Sequence, residues 1–259
     1  MEIKKILVSQ PQPAQGKSPY FDVAAKHGVE VVFRPFIKVE GLSARDFRKE
    51  KINLPEFTAI IFTARIAVDH YFRLCKEMRH NVPDTTKYFC ATEAIANYLQ
   101  KYIVYRKRKI FYSETGTFED LIPLFRKHGK ETFLMPVSDV HSDAKTVAID
   151  TLEDFSYTKA VMYRTVSNDL APDETFDYDM VILFTPAGVG ALTSNVPDYR
   201  ERGLVIGAMG SKTIAAVAEA GMEAAVVLSP EAPSMPAAID HYLTEQEAKA
   251  KKSGKTSKK

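Results

Sequence analysis

Short apolar runs alternate with amphipathic stretches along most of this chain. Ten of the apolar runs have the length and the β-branched and aromatic content of buried strands. They are Ile6–Ser9, Val29–Phe33, Ala59–Phe62, Tyr88–Cys90, Ile110–Tyr112, Thr132–Met135, Lys159–Tyr163, Met180–Phe184, Leu204–Ala208 and Ala224–Leu228. Most of the intervening stretches have helical periodicity, as in Ile66–Met78, Thr117–Lys127, Thr213–Ala220 and Pro236–Ala248. This alternation predicts an α/β fold with parallel sheets covered by helices on both faces.

An internal repeat divides these elements into two sets. The segment Ala59-Ile-Ile-Phe-Thr-Ala-Arg65 is echoed by Val181-Ile-Leu-Phe-Thr-Pro-Ala187, with Phe62 and Phe184 lying 122 positions apart. Two further strand–loop–helix units follow each segment at nearly the same offset. Ten strands also exceed what one small doubly wound sheet usually holds. The repeat therefore indicates two doubly wound parallel-sheet domains.

The second copy of the repeat lacks one strand–helix–strand piece, and such a piece lies unused at the start of the chain. We therefore predict a discontinuous first domain, with the second domain inserted into it and with two extended segments joining them as a two-stranded linker. We expect the two linker strands to run parallel and to restrict the domains to a hinge. The predicted bounds are 1–35 with 168–248 for domain 1, 41–156 for domain 2, 36–40 with 157–167 for the linker, and 249–259 for a disordered basic tail.

The composition is that of a globular protein, with 45% apolar and 26% charged residues among 259. It excludes a disordered chain, a collagen-like fibre and a small disulfide scaffold. No apolar stretch approaches the ~20 residues of a membrane helix. The N-terminus lacks the apolar core of a signal peptide, so we expect a cytoplasmic protein in which Cys75 and Cys90 are buried thiols.

The net charge of +2 is unevenly distributed. Six lysines and no acidic residue lie in the last eleven positions, so the rest of the chain carries −4. A body of negative charge is a poor nucleic-acid binder, and we expect no nucleic-acid and no membrane partner. The basic tail is typical of a solubilising segment, with a functional basic arm as the alternative.

Hydroxyls and small residues recur where the predicted strands end and helices begin. In open α/β sheets the ligand site lies beyond these carboxyl ends, and helix N-termini with adjacent hydroxyls suit anions. Simple helix capping is the alternative for each residue. The candidates are Ser9, Gln10, Thr63, Ser113, Thr117, Thr185, Gly210, Ser211, Thr213 and Ser234.

Motifs for other chemistries are missing or incomplete. Gly207-Ala-Met-Gly210 lacks the third glycine of a dinucleotide fingerprint, and the chain has no Walker A sequence, no G-x-S-x-G elbow and no H-E-x-x-H. Asp139, His141 and Asp143 alternate in a way that suits a metal, although a solvated loop that caps a helix explains them better. We therefore expect no metal.

Tyr163 differs from the other candidates because it ends the strand that forms one of the predicted linker segments. A phenol there would face the cleft between the domains and could donate a proton to a leaving group. An interfacial tyrosine packed at a hinge is the alternative.

Several short segments, in their order and spacing, resemble the uroporphyrinogen-III synthase family over about residues 3 to 245. They are Ile6-Leu-Val-Ser-Gln-Pro11, Ile61-Phe-Thr-Ala-Arg-Ile-Ala-Val68, Val161-Met-Tyr-Arg-Thr165, Phe184-Thr-Pro-Ala-Gly-Val189, Ile206-Gly-Ala-Met-Gly-Ser-Lys-Thr213 and Ala232-Pro-Ser-Met-Pro236. The resemblance adds Arg65 and Gly188 to the candidate substrate-binding residues. It implies Tyr163 as the catalytic tyrosine that assists departure of a hydroxyl.

The resemblance implies a lyase of heme biosynthesis that works without a cofactor. In the cleft between its domains, such an enzyme dehydrates and cyclises hydroxymethylbilane to uroporphyrinogen III with inversion of ring D. We expect a monomer with a possible transient contact to the preceding pathway enzyme. The alternative is a non-catalytic two-domain protein that binds an anionic small molecule.

Three departures from the family pattern fall in the inserted domain. Ala64 stands where the family usually has Ser, and Ile66 where it has Asn or a similar residue. A turn of Gly-x-x-Thr type reads Cys90-Ala-Thr-Glu93, so that both of its characteristic residues are replaced. Individual substrate contacts in this domain are therefore in question.

Overall fold

The computed structural model describes residues 3–14, 16–140, 146–171 and 173–256, with side chains described as far as residue 250. The strands are β1 (Lys5–Val8), β2 (Glu30–Phe33), β3 (Ile37–Gly41), β4 (Ala59–Phe62), β5 (Lys87–Cys90), β6 (Ile110–Tyr112), β7 (Phe133–Ser138), β8 (Tyr157–Ser167), β9 (Met180–Leu183), β10 (Val205–Ala208) and β11 (Ala224–Val226). The α-helices are α1 (Pro19–His27), α2 (Ala44–Phe47), α3 (Arg65–Glu77), α4 (Glu93–Tyr98), α5 (Ile122–Lys127), α6 (Val147–Asp150), α7 (Pro186–Asn195), α8 (Ser211–Glu219) and α9 (Met235–Thr256).

The chain divides into two compact units. Unit 1 contains 1–38 and 166–259, and unit 2 contains 39–165. The prediction of a discontinuous first domain with a second one inserted is confirmed. Unit 2 extends beyond the predicted end at 156 because β8 pairs with β7 from Tyr157 to Tyr163.

Unit 1 is built on a parallel sheet of order β11-β10-β9-β1-β2. Its central strand β9 is buried at all four positions, which is typical of a strand covered on both faces. Alternate residues of β1 enter different cores: Ile6 and Val8 pack in one, and Leu7 in the other. The first core is completed by α1 and α9, and the second by α7 and α8. The helices therefore cover both faces, as in a doubly wound fold.

Unit 2 has a sheet of order β3-β8-β7-β4-β5-β6. Leaving out β3, this order matches that of unit 1, since β4, β5 and β6 correspond to β9, β10 and β11. The strands β7 and β8 then take the places of β1 and β2. The strand–helix–strand piece at the start of the chain thus fills the position that the repeat left open in unit 1. A single large core, with Phe62, Phe89 and Phe125 fully buried, holds unit 2 together.

The two connecting segments pair as predicted, since β3 is hydrogen-bonded to β8. Their direction was predicted wrongly. In unit 2 the Leu42 N–H donates to the Met162 carbonyl at 2.9 Å, and in unit 1 the Asn168 N–H donates to the Phe36 carbonyl at 2.8 Å. As the residue number increases along β3, the residue number of its hydrogen-bonded partner decreases, so the two strands run antiparallel. One segment leaves unit 1 and the other returns to it, which requires opposite directions.

The C-terminal prediction also needs correction. The expected disordered tail begins at Lys249, but α9 continues to Thr256. Lysine is a good helix former, so the helix that packs on α1 continues into the lysine-rich segment. Cys75 and Cys90 are free and buried, as predicted. Among the described residues, no helix is both long and apolar enough to span a membrane.

Candidate active site

In unit 1, α7 and α8 begin after the neighbouring strands β9 and β10, and the N-termini of these two helices differ in their capping. After β9, Thr185 adopts an extended conformation, and its Oγ1 accepts a hydrogen bond from the Gly188 N–H at 3.1 Å. A Cβ added to the buried Gly188 would lie 3.4 Å from that oxygen. Thr185 therefore caps α7, and a Cβ at position 188 would be in ordinary contact with the cap.

After β10, the N-terminus of α8 has no side-chain cap. Gly210 occupies the N-cap position with φ 86°, a conformation that favours glycine. Ser211 and Lys212 are exposed in the first turn, whereas Thr213 is buried at 2% exposure. The first N–H groups of the helix thus remain open beside a hydroxyl and an ammonium group. Such an arrangement binds anions.

The other candidates of unit 1 follow β1 and precede α9. Ser9 is buried and its N–H donates to the Ile182 carbonyl at 3.1 Å, which ties it to β9. Gln10 is exposed next to it. Ser234 is exposed, and its Oγ accepts a weak hydrogen bond from the Ala237 N–H at 3.4 Å at the start of α9.

In unit 2, α3 also begins without a cap. Ala64 is extended, and its methyl group accepts no hydrogen bond, so the departure from Ser leaves the helix start open. Thr63 is half-buried at the end of β4. The exposed Arg65 places its guanidinium 5.7 Å from the ring centre of Tyr98. This helix start therefore also presents N–H groups and a positive charge.

The turn after β5 differs from the turn after β10, although the two are equivalent in the repeat. Thr92 takes the position of Gly210, and its side chain accepts the Ile95 N–H at 3.4 Å. Sequence reasoning treated this turn only as a lost Gly-x-x-Thr pattern and missed Thr92 as a cap. A threonine followed by an acidic residue and an apolar one is a recognisable helix start. Because Thr92 caps α4 and Glu93 follows it, this helix start is unsuited to an anion.

The hydroxyl groups of the loop after β6 form hydrogen bonds within the loop itself. Ser113 Oγ accepts the Gly116 N–H at 2.9 Å and donates to Asp120 at 3.2 Å. Thr117 was predicted to start a helix, but α5 begins at Ile122 and the exposed Thr117 hydroxyl pairs with that of Thr115 at 3.0 Å. A cavity of about 510 Å³ lies here, lined by Thr92, Glu93, Ala94, Tyr112, Ser113, Glu114, Thr115 and Gly116. Its carboxylates oppose anion binding.

Tyr163 lies in β8 and is 7% exposed. Its ring stacks on the imidazole of His70, with centroids 5.1 Å apart and planes at 18°. Within the described part of the chain its hydroxyl has no hydrogen-bond partner. Burial raises the pKa of the phenol, so it keeps its proton at neutral pH.

His70 was not identified from the sequence, where a single histidine on a helix gives no signal. Burial lowers the pKa of its imidazole, and the nearby Arg73 lowers it further. Arg73 Nε donates to His70 Nδ1 at 3.2 Å, and its Nη2 donates to the Leu42 carbonyl at 2.7 Å. The guanidinium therefore fixes the ring on which Tyr163 stacks.

Of the three possible metal ligands, the structure describes only Asp139. The Asp139 carboxylate accepts the N–H groups of Val140 at 2.8 Å and Thr165 at 3.1 Å. His141 and Asp143 lie outside the described residues. In the described ranges, no group of three or more His, Cys, Asp or Glu side chains is placed to hold a metal ion.

Both units are thus parallel α/β layers that present helix N-termini and hydroxyls at their strand ends, and unit 2 adds a protonated tyrosine. This defines an α/β protein suited to an anionic small molecule. The family model HEM4, uroporphyrinogen-III synthase HemD, matches residues 20–240, and the chain belongs to the uroporphyrinogen-III synthase family. Membership confirms the function predicted from the sequence and places the chain among the enzymes of heme biosynthesis.

The chain is also similar to solved structures of uroporphyrinogen III synthase. Wild-type uroporphyrinogen III synthase from the extremely thermophilic bacterium Thermus thermophilus is 13% identical, with 95% of this chain and 99% of that one covered and a TM-score of 0.40. A selenomethionine triple mutant from the same organism is 13% identical over the same shares, with a TM-score of 0.44. A further Thermus thermophilus structure is 14% identical over 91% and 96%, with a TM-score of 0.37. No curated protein matches the chain significantly.

Proposed function

We propose that this chain is a lyase that converts hydroxymethylbilane to uroporphyrinogen III without a cofactor. The observation that carries the proposal is the family match over residues 20–240. The groups at the strand ends support it, because the substrate carries an acetate and a propionate on each ring. The alternative of a non-catalytic binding protein has no comparable support.

Substrate carboxylates bind at the uncapped helix N-termini. At α8, Gly210 leaves the first N–H groups open, and Ser211 adds a hydroxyl. The helix dipole and the charge-assisted hydrogen bonds favour a carboxylate there. Arg65 and the open start of α3 bind in the same way, whereas the capped starts of α4 and α7 contribute less.

Tyr163 assists the loss of water. The phenol donates its proton to the terminal hydroxyl of the substrate as the carbon–oxygen bond breaks, so water leaves and an azafulvenium cation remains on ring A. A phenol carries its proton at neutral pH, and burial raises the pKa of Tyr163 further. The phenolate of Tyr163 takes up a proton again when the pyrrole that closes the ring releases one.

The enzyme must also steer ring closure. Ring D attacks the cation through its substituted carbon, and the spiro intermediate fragments and recloses with ring D inverted. The unassisted substrate closes to the uninverted type I isomer, so positioning of the carboxylates decides the product. We further propose that the enzyme acts as a cytoplasmic monomer that contacts the preceding pathway enzyme only transiently.

Charge reversal at α8 tests the carboxylate site. Ser211→Glu places a negative charge where the substrate carboxylate binds, and we expect the KM for hydroxymethylbilane to rise about tenfold, the size of one charge-assisted hydrogen bond. The variant should not lose stability, because acidic residues favour helix N-termini. Ser194→Glu, an exposed position near the end of α7, is the matched control. An unchanged KM in Ser211→Glu would contradict the assignment.

A further inference from the structure

A second cavity lies in unit 2 at the opposite edge of the sheet from the strand ends described above. It has a volume of about 450 Å³ and opens between the segments that lead into β5 and β6. Its lining includes Phe72, Tyr88 and Tyr102 from the aromatic core side and Lys76, Val104 and Lys109 at the opening. None of these residues has a role in the proposed reaction. We call it the amino-edge cavity.

Aromatic rings form a preorganised wall of this cavity. The rings of Phe72 and Tyr102 stack with centroids 4.6 Å apart and planes at 7°. The ring centroid of Tyr88 lies 6.4 Å from that of Phe72. The hydroxyl of Tyr102 is hydrogen-bonded to the Asp69 carboxylate, which fixes the ring. Flat aromatic surfaces held in this way favour another planar ring. The wall therefore suits an aromatic ligand.

The rim of the cavity is positively charged. Lys76, Arg106 and Lys109 line it, and Asp84 is the one carboxylate among the lining residues. Asp84 pairs with Arg106 at 3.6 Å. In the described part of the chain neither Lys76 nor Lys109 has a carboxylate within ion-pair distance. Two ammonium groups thus stand beside an aromatic wall, and Val104 next to them is 76% exposed.

The corresponding place in unit 1 is arranged differently. A smaller cavity of about 310 Å³ lies at the amino ends of β10 and β11. There Tyr199 and Arg200 stack on each other, and both donate to the Ala220 carbonyl. The aromatic ring and the cation of unit 1 are therefore engaged within the protein. In unit 2 the rings of Phe72 and Tyr102 stack on each other at the cavity wall, and the two lysines beside them form no ion pair with a described carboxylate.

We propose that the amino-edge cavity binds a small planar aromatic anion, with one or two rings and a carboxylate, sulfonate or phosphate group. The volume lies in the usual range of ligand pockets. The rings lie against Phe72 and Tyr102, and the anion pairs with Lys76 and Lys109. This site is separate from the one that performs the proposed reaction and does not depend on it.

Titration with 8-anilinonaphthalene-1-sulfonate tests the proposal on the full chain. The chain has no tryptophan, so the emission of the bound probe is read without energy transfer from that residue. We expect saturable binding that weakens about three- to thirtyfold in Lys76→Ala/Lys109→Ala, in line with the loss of two exposed ion pairs. Binding should also weaken in 0.5 M salt. N-Phenyl-1-naphthylamine has the same rings without the sulfonate, and its affinity should not change in the double variant.

A second variant localises the probe. Val104→Glu adds a negative charge at the exposed rim and should weaken sulfonate binding, whereas Val147→Glu, at a residue that is 57% exposed elsewhere in unit 2, should not. Unchanged melting temperatures would show that the probe reports the folded protein. Sulfonate affinity that is the same in the wild type, the double lysine variant and Val104→Glu would overturn the proposal. An equal loss with Val147→Glu would also overturn it.

Discussion

Replacement of Tyr163 by Phe removes one oxygen atom from the proposed proton donor and leaves its ring in place. The ring remains buried against His70, and its hydroxyl has no hydrogen-bond partner among the described residues. No intramolecular hydrogen bond is therefore lost, and we expect the free energy of unfolding to change by less than about 0.5 kcal/mol. Any larger effect of the substitution must then appear in catalysis.

The expected loss of rate follows from the role of a general acid. Such groups contribute typically 10²- to 10⁴-fold, and substrate positioning remains in the variant, so we expect the rate of type III formation to fall about ten- to a thousandfold. This corresponds to about 1.4 to 4 kcal/mol in the activation free energy. The assay follows both isomers after oxidation, under single-turnover conditions, together with the melting temperature.

A tyrosine on the same strand provides the matched control. The Tyr157 hydroxyl is hydrogen-bonded to the Asp150 carboxylate, so Tyr157→Phe should lower stability and leave the rate unchanged. Unchanged type III formation by Tyr163→Phe would remove this residue from the mechanism. It would leave the tyrosine with a packing role beside His70.

Two further predictions concern stability. The His27 imidazole is hydrogen-bonded through Nε2 to the Asp240 carboxylate at 2.7 Å and through Nδ1 to the Glu247 carboxylate at 2.6 Å. Burial opposes protonation of this ring, but the two hydrogen bonds and the two negative charges outweigh burial and raise the pKa of the imidazole. The stabilisation by protonated His27 is therefore fully present below the unfolded pKa of about 6.5 and is lost as pH rises through the folded pKa. His27→Gln should accordingly lower the melting temperature more at pH 5.5 than at pH 9. An equal decrease at both pH values would refute this. Thr185→Ala removes the cap of α7 and should cost about 1 kcal/mol in urea unfolding, and a cost near zero would show that the observed cap contributes nothing.

The sequence predicted the fold through patterns that are local in the chain. The continuous apolar runs of β4 and β9 read directly as buried parallel strands, and the offset between Phe62 and Phe184 reflected two sheets of the same order. The displaced strand–helix–strand piece then required a discontinuous unit. These inferences needed no knowledge of long-range contacts.

Other features depend on contacts that a sequence does not state. The direction of β3 against β8 follows from the path of the whole chain, and the start of α5 depends on how the loop from Ser113 to Asp120 satisfies its own hydroxyls. The stacking of His70 on Tyr163 joins a helix to a distant strand. Thr92, in contrast, had a local signal as a helix cap that was overlooked.

Incubation of the purified chain with hydroxymethylbilane, followed by oxidation and separation of the isomers, shows whether the chain catalyses the synthase reaction. We expect uroporphyrinogen III to form faster than the spontaneous type I product and to become the main isomer, without added cofactor. A mixture that contains only type I, formed at the rate of the substrate alone, would contradict it.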